Sequence, residues 1–557
     1  MKDIINKGIQ LFKNKEYVES LKVFHKLYEL NPSNLQILVF YSLNLMFNNN
    51  FELALKILDE IEKKDPQIPE TYFNKALCLT HLKNYQLSIE YYLKAINFKN
   101  DYHQAYLNLG VLYKNLGQPE SAIEIYKKAL DNIVNKDEIY INLSEIYKST
   151  GNILESKKYA IEALKISPQN ALALNNLGIA LIDENKLSDS VEVLERAVKI
   201  NPSLALIYNN LGIAYEYSSD YTSALKNYDK ATKVDSNFHD AYFNMGQIYL
   251  TLQEFKKGWV NYEHRWGKTD KRPTRINFNK PIWNPQLGFK RILIWGEQGM
   301  GEQILFSAIL KNIITKFESI VLMLDDRLCQ LYKESFPHLI VVGLNQTVDN
   351  FEFDYHLPIC SLGLFFRNSL QEFTPDKIIS LTEKSEIANT FKNKKLRCAI
   401  SWKSTNPHTG QARSVMLNDL KDILKLKNIE FYNIQYTNED DEVNQFYQDH
   451  GVLINKVANL DTYNDIYSLT HFINTCDFVI TISNTNAHLS AAIGKPTFLL
   501  LTKERGKFWY WENEINGNNI WYPSIKKFTQ PNPGDWKTPI EDLKLHIAKE
   551  YEILNLE

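Results

Sequence analysis

The chain has 557 residues, too many for one core, and at roughly 150 residues per domain it should divide into three or four units. Its 63 basic and 66 acidic residues leave a net charge of -3 with no long run of one sign, so the charge pattern excludes nucleic acid and anionic membrane surfaces as natural partners. Cys78, Cys329, Cys360, Cys398 and Cys476 lack paired or metal-type spacing and read as small buried thiols of a reduced, cytoplasmic protein. The first seven residues read as amphipathic helix rather than as a secretory leader, and no apolar run approaches the ~20 residues of a membrane span.

From the N-terminus the sequence repeats every 34 residues. Stop signals recur at Asn31-Pro32, Asp65-Pro66, Ser167-Pro168 and Asn201-Pro202, with weaker ones at Lys99-Asn100 and Asp235-Ser236; proline cannot continue a preceding helix. Small residues return in the same register at Ser20, Ala54, Ser88, Ala122, Ser156, Ser190, Ala224 and Gly258, and again at Ala95, Ala129, Ala163, Ala197 and Ala231. Gly110, Ser144, Gly178, Gly212 and Gly246 mark the first helix of their units, each preceded by Leu or Met. Together these resemble the tetratricopeptide pattern of two helices per repeat, covering residues 1–266 as seven repeats and a partial eighth. The resemblance implies an α superhelix whose concave face binds extended protein or peptide partners.

Asn74, Asn108, Asn142, Asn176, Asn210 and Asn244 share the period. An amide both donates and accepts, so a line of them suits a peptide backbone whatever its side chains. The plainer reading gives them repeat-to-repeat hydrogen bonds. The line is similar to the asparagine ladder of O-GlcNAc transferases, which grips acceptor protein.

After Gly258 the run Trp259, Tyr262, Glu263, Arg265, Trp266 breaks the repeat, and residues 267–289 read as a linker. Beyond it short apolar runs alternate with helical stretches, the signature of a parallel sheet. Candidate strands are 291–295, 320–324, 339–342, 397–402, 431–435, 478–482 and 497–501, and a charged helix-like stretch at 381–395 separates two groups. The expected fold is thus an α superhelix plus α/β, with Rossmann-like halves at 290–392 and 393–557 facing a cleft.

Three loops follow strands, where open α/β sheets bind ligands. The first runs from Gly296 through Gly299 and Gly301 to Glu302 and lacks the ending of a nucleotide-triphosphate loop. The second reads Ser401, Trp402, Lys403, Ser404, Thr405, with Arg413 and Ser414 beyond. The third reads Ser483, Asn484, Thr485, Asn486, Ala487, His488, then Gly494-Lys495-Pro496, and places a helix N-terminus toward the cleft. Asp325-Asp326 lies on another strand end without a supporting ligand set, so a metal-free site is expected.

These loops, with Trp521, Tyr522, Pro523, Ser524 and Trp536, resemble bacterial tetratricopeptide-repeat glycosyltransferases, whose C-terminal region is similar to heptosyltransferases of the GT-B fold. The resemblance implies inverting, metal-independent transfer of sugar from a nucleotide-diphosphate donor, with no cofactor. The family's Gly-Asp pair corresponds to Gly301-Glu302, its Asp-Thr-Gly-x-x-His segment to Ser483, Asn484, Thr485 and His488 with the aspartate and glycine lost, and its phosphate-binding lysine to Lys403. On this basis Glu302 is the expected general base. Gly299, Gly301, Lys403, Ser404, Arg413, Gln435, Asn484, Thr485, Asn486 and His488 are the expected donor-binding residues, with Gln435 facing the base or ribose. The six repeat asparagines would hold a protein acceptor. Two other readings fit the same residues: a non-enzymatic scaffold with a degenerate nucleotide-binding domain, and transfer to a glycan or lipid-linked sugar.

Overall fold

The structure, a computed structural model, describes residues 1–268, 275–374, 377–382, 395–406, 409–503 and 506–553. Contacts divide the chain into two compact units, Met1–Leu211 and Gly212–Glu557.

Sixteen α-helices follow one another from Lys2–Lys13 to Phe255–Tyr262 among the described residues. They alternate as first and second members of a pair. Second helices end on Asn31, Asp65, Lys99, Ile133, Ser167, Asn201 and Asp235, spaced by one period even where no proline follows. The small residues explain the close fold-back of each pair. Ser20 donates to the Gly8 carbonyl at 3.0 Å, Ser88 to Ala76 at 2.8 Å and Ser190 to Gly178 at 2.8 Å, so a hydroxyl twelve residues on grips the facing backbone. At Gly110 a methyl group would come within 2.2 Å of the Tyr126 ring, which explains the glycine there.

The turn inside each pair carries a marker that composition hides. Lys15, Asn49, Lys83, Gly117, Gly151, Asn185, Ser219 and Gln253 all adopt φ between 59° and 79°, again one per period. Only two are glycine, although this left-handed region strains other residues.

In the second unit β1 (Arg291–Trp295), β2 (Ser319–Leu324), β3 (Ile340–Gly343) and β4 (Tyr355–Pro358) form a parallel sheet in the order β3-β2-β1-β4. β5 (Leu396–Ile400), β6 (Ile429–Asn433), β7 (Ile454–Lys456), β8 (Phe478–Ile482) and β9 (Thr497–Leu501) belong to another. A short antiparallel pair follows, β10 (Glu514–Ile515) and β11 (Asn518–Asn519), and β12 (Ile525–Thr529) completes the second parallel sheet as β12-β9-β8-β5-β6-β7. β8 and β9 are buried at every residue, as parallel strands covered on both faces require. The helix-like stretch expected at 381–395 falls mostly outside the described residues, as does the expected boundary at 392.

The last repeat does not end where its helical pattern does. Leu250, Phe255, Trp259 and Tyr262 share one hydrophobic core with Ile292, Ile294, Ile304, Trp509 and Trp521, and Trp259 Nε1 donates to the Arg367 carbonyl at 2.6 Å. Packing therefore draws these residues into the α/β unit, while the expected domain boundary at 266 follows sequence pattern alone. The described part of the 267–289 segment is also packed down: Trp283 is buried and donates to the Gly288 carbonyl, and Ile282 bridges His356. Its proline and lysine suggest a linker, but in its described part a large aromatic, Trp283, is seated in the core.

Candidate active site

The loops after β1, β5 and β8 meet at the carboxyl ends of their strands around a cavity of about 280 Å³. Gly299, Gly301, Glu302, Ser404, Arg413, Asn484, Thr485 and His488 all line it, with Met300, Tyr436, Phe508 and Tyr510. Its floor is a hydrogen-bond network between neighbouring strands. Ser401 Oγ lies 2.7 Å from Thr481 Oγ1, and Asn484 donates to Ser401 at 3.1 Å while accepting from Thr481 at 3.0 Å. Asn484 Oδ1 also accepts from the Ala487 N-H, capping the helix Thr485–Ala492 and presenting its first turn to the cavity.

Glu302 sits in the first turn of the helix Met300–Phe306. Among the described residues no other side chain forms an ion pair with its carboxylate, which meets its own backbone N-H and lines the cavity. Burial pushes its pKa up, opposed by its own backbone amide and the Arg413 guanidinium. The adjacent glycine has a steric reason: a methyl at Gly301 would stand 2.8 Å from the His488 ring. His488 is itself buried, shares a 2.9 Å hydrogen bond with the Tyr522 hydroxyl and packs on Trp511. Burial pushes it down to about 3, so it stays neutral and braces Gly301 rather than meeting phosphate as a cation.

Arg413 brings a positive charge to the cavity. It is only 7% exposed, its Nε finds no hydrogen-bond partner, and its guanidinium stacks 4.2 Å from the Phe508 ring centroid. Burial lowers its pKa from the ordinary value, with Tyr510 and Glu302 opposing. Among the described residues no carboxylate forms an ion pair with it, and a buried cation without a full hydrogen-bond shell is costly unless an anion completes it.

Three expected donor-binding residues are turned to other work. Lys403 Nζ is held by Glu439 and lies 2.9 Å from Glu442; burial lowers its pKa, but the two carboxylates outweigh this and raise it. Its charge is spent on them and it does not line the cavity. Gln435 is buried and staples the loop after β5: its Oε1 accepts from the Trp402 and Lys403 N-H groups at 3.0 and 3.1 Å, and its Nε2 donates to the Lys403 carbonyl at 3.0 Å. That leaves no group for a base or ribose. Asn486 is buried and donates to the Ile434 carbonyl at 2.9 Å, tying the third loop to the strand-end backbone.

The repeat asparagines divide too. Asn176 and Asn210 are 5% and 6% exposed, and Asn210 donates to Asn175 in the preceding repeat at 2.7 Å, a repeat-to-repeat bond. Asn74, Asn108, Asn142 and Asn244 remain partly exposed.

Sequence reasoning missed the group that fixes the first loop. Arg265 is fully buried and reaches Glu297 at 2.9 and 3.1 Å, Glu263 at 2.6 Å and Ser361 at 2.7 Å. Glu297 also accepts from the Cys360 N-H. The end of the repeats thus holds the loop that carries Glu302. Asp325 is paired with Arg327 at 2.8 Å, and among the described residues no three His, Cys, Asp or Glu side chains gather as metal ligands. Nor is any described helix long and apolar enough to cross a membrane.

Comparisons with known proteins match the repeats. Residues 67–133 and 137–170 match the tetratricopeptide repeat family, and 180–216 and 217–253 match the TPR repeat family. Protein FlbA of Caulobacter vibrioides is 24% identical over 304 residues, covering 50% of each chain; the chain therefore spans about half the length of this relative. Among solved structures, the C-terminal part of a TPR repeat-containing protein from Cytophaga hutchinsonii aligns with 42% of this chain and 97% of its own at 17% identity and TM-score 0.37. The Cut9-Hcn1 hetero-tetramer of the APC/C covers 49% and 53% at 17% identity and TM-score 0.36. YrrB, described as a TPR protein with an unusual peptide-binding site, covers 33% and 95% at 19% and 0.29. The N-terminal half of this protein is an array of tetratricopeptide repeats.

Proposed function

We propose that the α/β unit is a glycosyltransferase of GT-B type that takes sugar from a nucleotide-diphosphate donor and delivers it to a protein acceptor recruited by the repeats. The observation that carries this reading is one cavity lined by a carboxylate, Glu302, that no described side chain holds in an ion pair, and by a buried guanidinium, Arg413, whose Nε has no hydrogen-bond partner among the described residues. Strand order supports it. Numbered within itself, the six-stranded sheet runs 3-2-1-4-5-6, the order of nucleotide-binding doubly wound folds, and the first sheet runs 3-2-1-4. In the six-stranded sheet, β5 and β8 flank the point where the order reverses, and their loops supply Ser404 and Thr485.

In this chemistry the acceptor hydroxyl gives its proton to the Glu302 carboxylate as its oxygen bonds the anomeric carbon. The bond from that carbon to the diphosphate oxygen breaks, and its electron pair leaves with the nucleoside diphosphate. Arg413 and the first turn of Thr485–Ala492 meet the growing negative charge. Because these groups are positioned before reaction, each can contribute about 2.7 to 4 kcal/mol to the transition state.

The test is a thermal shift panel of UDP, GDP, ADP and CMP. A ligand at a hundred times its dissociation constant stabilises by about 2.7 kcal/mol, and Arg413→Gln is expected to abolish the shift. Flat curves across the panel would remove the donor site. The neutralisation of Lys403 by two carboxylates favours a second reading, a nucleotide-sensing scaffold without turnover. A shift without sugar transfer from any donor selects it.

A further inference from the structure

A second cavity, of about 230 Å³, adjoins the first. Met300, Thr405, Tyr436 and Thr485 line both, so one elongated ligand can occupy the two. They differ in charge. The first holds Glu302 and Arg413. In the second the one charged side chain among the described lining residues is Arg327, and its charge is met: Nε and Nη2 each donate to Asp325 at 2.8 Å. The same guanidinium lies 4.8 Å from the Tyr463 ring centre, and Tyr436 supplies a second ring. Aromatic walls without an uncompensated charge suit an uncharged planar ring rather than a phosphate.

Hydrogen-bond polarity says which ring fits. Asn486 lines this cavity and is 2% exposed. Its Nδ2 donates to the Ile434 carbonyl at 2.9 Å, and its Oδ1 accepts no hydrogen bond among the described residues. Thr462, also in the lining, gives its one hydroxyl proton to the Gln435 carbonyl at 2.8 Å, so toward a ligand its Oγ1 can only accept. A buried acceptor left unmatched is costly, so the ligand edge that fits leads with N-H groups. Among nucleobases guanine alone sets two donor atoms side by side, its ring N-H and its amino group. Adenine and cytosine put a ring acceptor next to the amino group, and uracil puts one N-H between two carbonyls. With those three, an acceptor would face an acceptor. Resting on the donor-site reading of the first cavity, we infer that the second is a base compartment that selects guanine, which makes the donor a guanosine diphosphate sugar.

GDP, IDP, UDP, ADP and CDP are titrated calorimetrically into the full chain and into Asn486→Ala, with inorganic pyrophosphate as the control for the charged cavity. GDP should bind about ten-fold more tightly than UDP, ADP or CDP, and IDP, whose base lacks the amino group, should fall between. Asn486→Ala should bring GDP down to the affinity of ADP while pyrophosphate binding stays unchanged. Where that substitution fails to fold, Thr462→Val replaces it and should narrow the gap between GDP and ADP. Any other order among the nucleotides, or a preference for GDP that survives substitution, overturns the inference while pyrophosphate still binds. Absence of pyrophosphate and nucleotide binding alike in the unaltered chain removes the donor reading instead, and is seen separately.

Discussion

Glu302 and Glu216 show how burial sets the behaviour of single carboxyls. In the proposed sugar transfer Glu302 must be ionised to accept a proton, and its pKa is pushed up, so the proposal expects a transfer rate that rises with pH through that raised value. Glu302→Gln should cut kcat by about 10²- to 10⁴-fold and leave nucleotide binding intact, as single-turnover assays would measure. Glu216, half-buried beside Tyr228, is pushed up from 4.5 to about 7 by desolvation. The folded state then holds a proton that the unfolded state has lost between those values, so stability falls as pH rises through this window. The loss is at most about 3 kcal/mol, and Glu216→Gln should flatten it in melting curves taken from pH 4.5 to 8. That Glu302, Ser404, Arg413 and Thr485 share one cavity was legible in the sequence, because each follows a recognisable strand. Lys403 and Gln435 misled because what occupies them is tertiary: Glu439 and Glu442 lie at and near the start of the helix Asp440–His450, which only folding brings over the end of β5. Arg265 and Glu297, 32 residues apart, gave no signal of their pairing.

At the level of the element, the helices were readable in full because their stop signals, small residues and apolar faces share one spacing. The strands were readable where runs of Ile, Val, Leu and Phe are continuous, as in β8 and β9. β4 ends on a proline, β7 has three residues, and β12 interrupts its apolar residues with Lys526 and Lys527, so none offered a run to recognise. Two substitutions test the helical pairs. Gly110→Ala drives a methyl into the Tyr126 ring and should cost about 1–3 kcal/mol in denaturant titration. Lys83→Gly relieves a left-handed turn, where strain of about 1–2 kcal/mol outweighs the glycine's extra chain entropy of about 0.5–1 kcal/mol. It should raise stability by about 0.5–1 kcal/mol.

For the molecule as a whole, the division at Leu211 and Gly212 makes the last repeat part of the α/β core. Arg265→Met tests that union. It strands Glu297, whose side chain is fully buried, and removing one partner of such a pair costs about 3–5 kcal/mol. The melting of residues 212–557 should drop accordingly, and protection of the Gly299 to Glu302 amides from hydrogen exchange should fall with it. The left-handed turn that returns at Lys15, Asn49, Lys83 and onward to Gln253 has a consequence for length. Because Gly117 and Gly151 occupy the same corner of successive units, excising residues 118–151 splices one corner onto the next and leaves every remaining fold-back with a proper counterpart. Excising a few residues more or fewer puts a helix where a corner is needed. The array can thus lose or acquire whole modules, altering how much of a partner it spans, while the pair that packs into the α/β core is untouched.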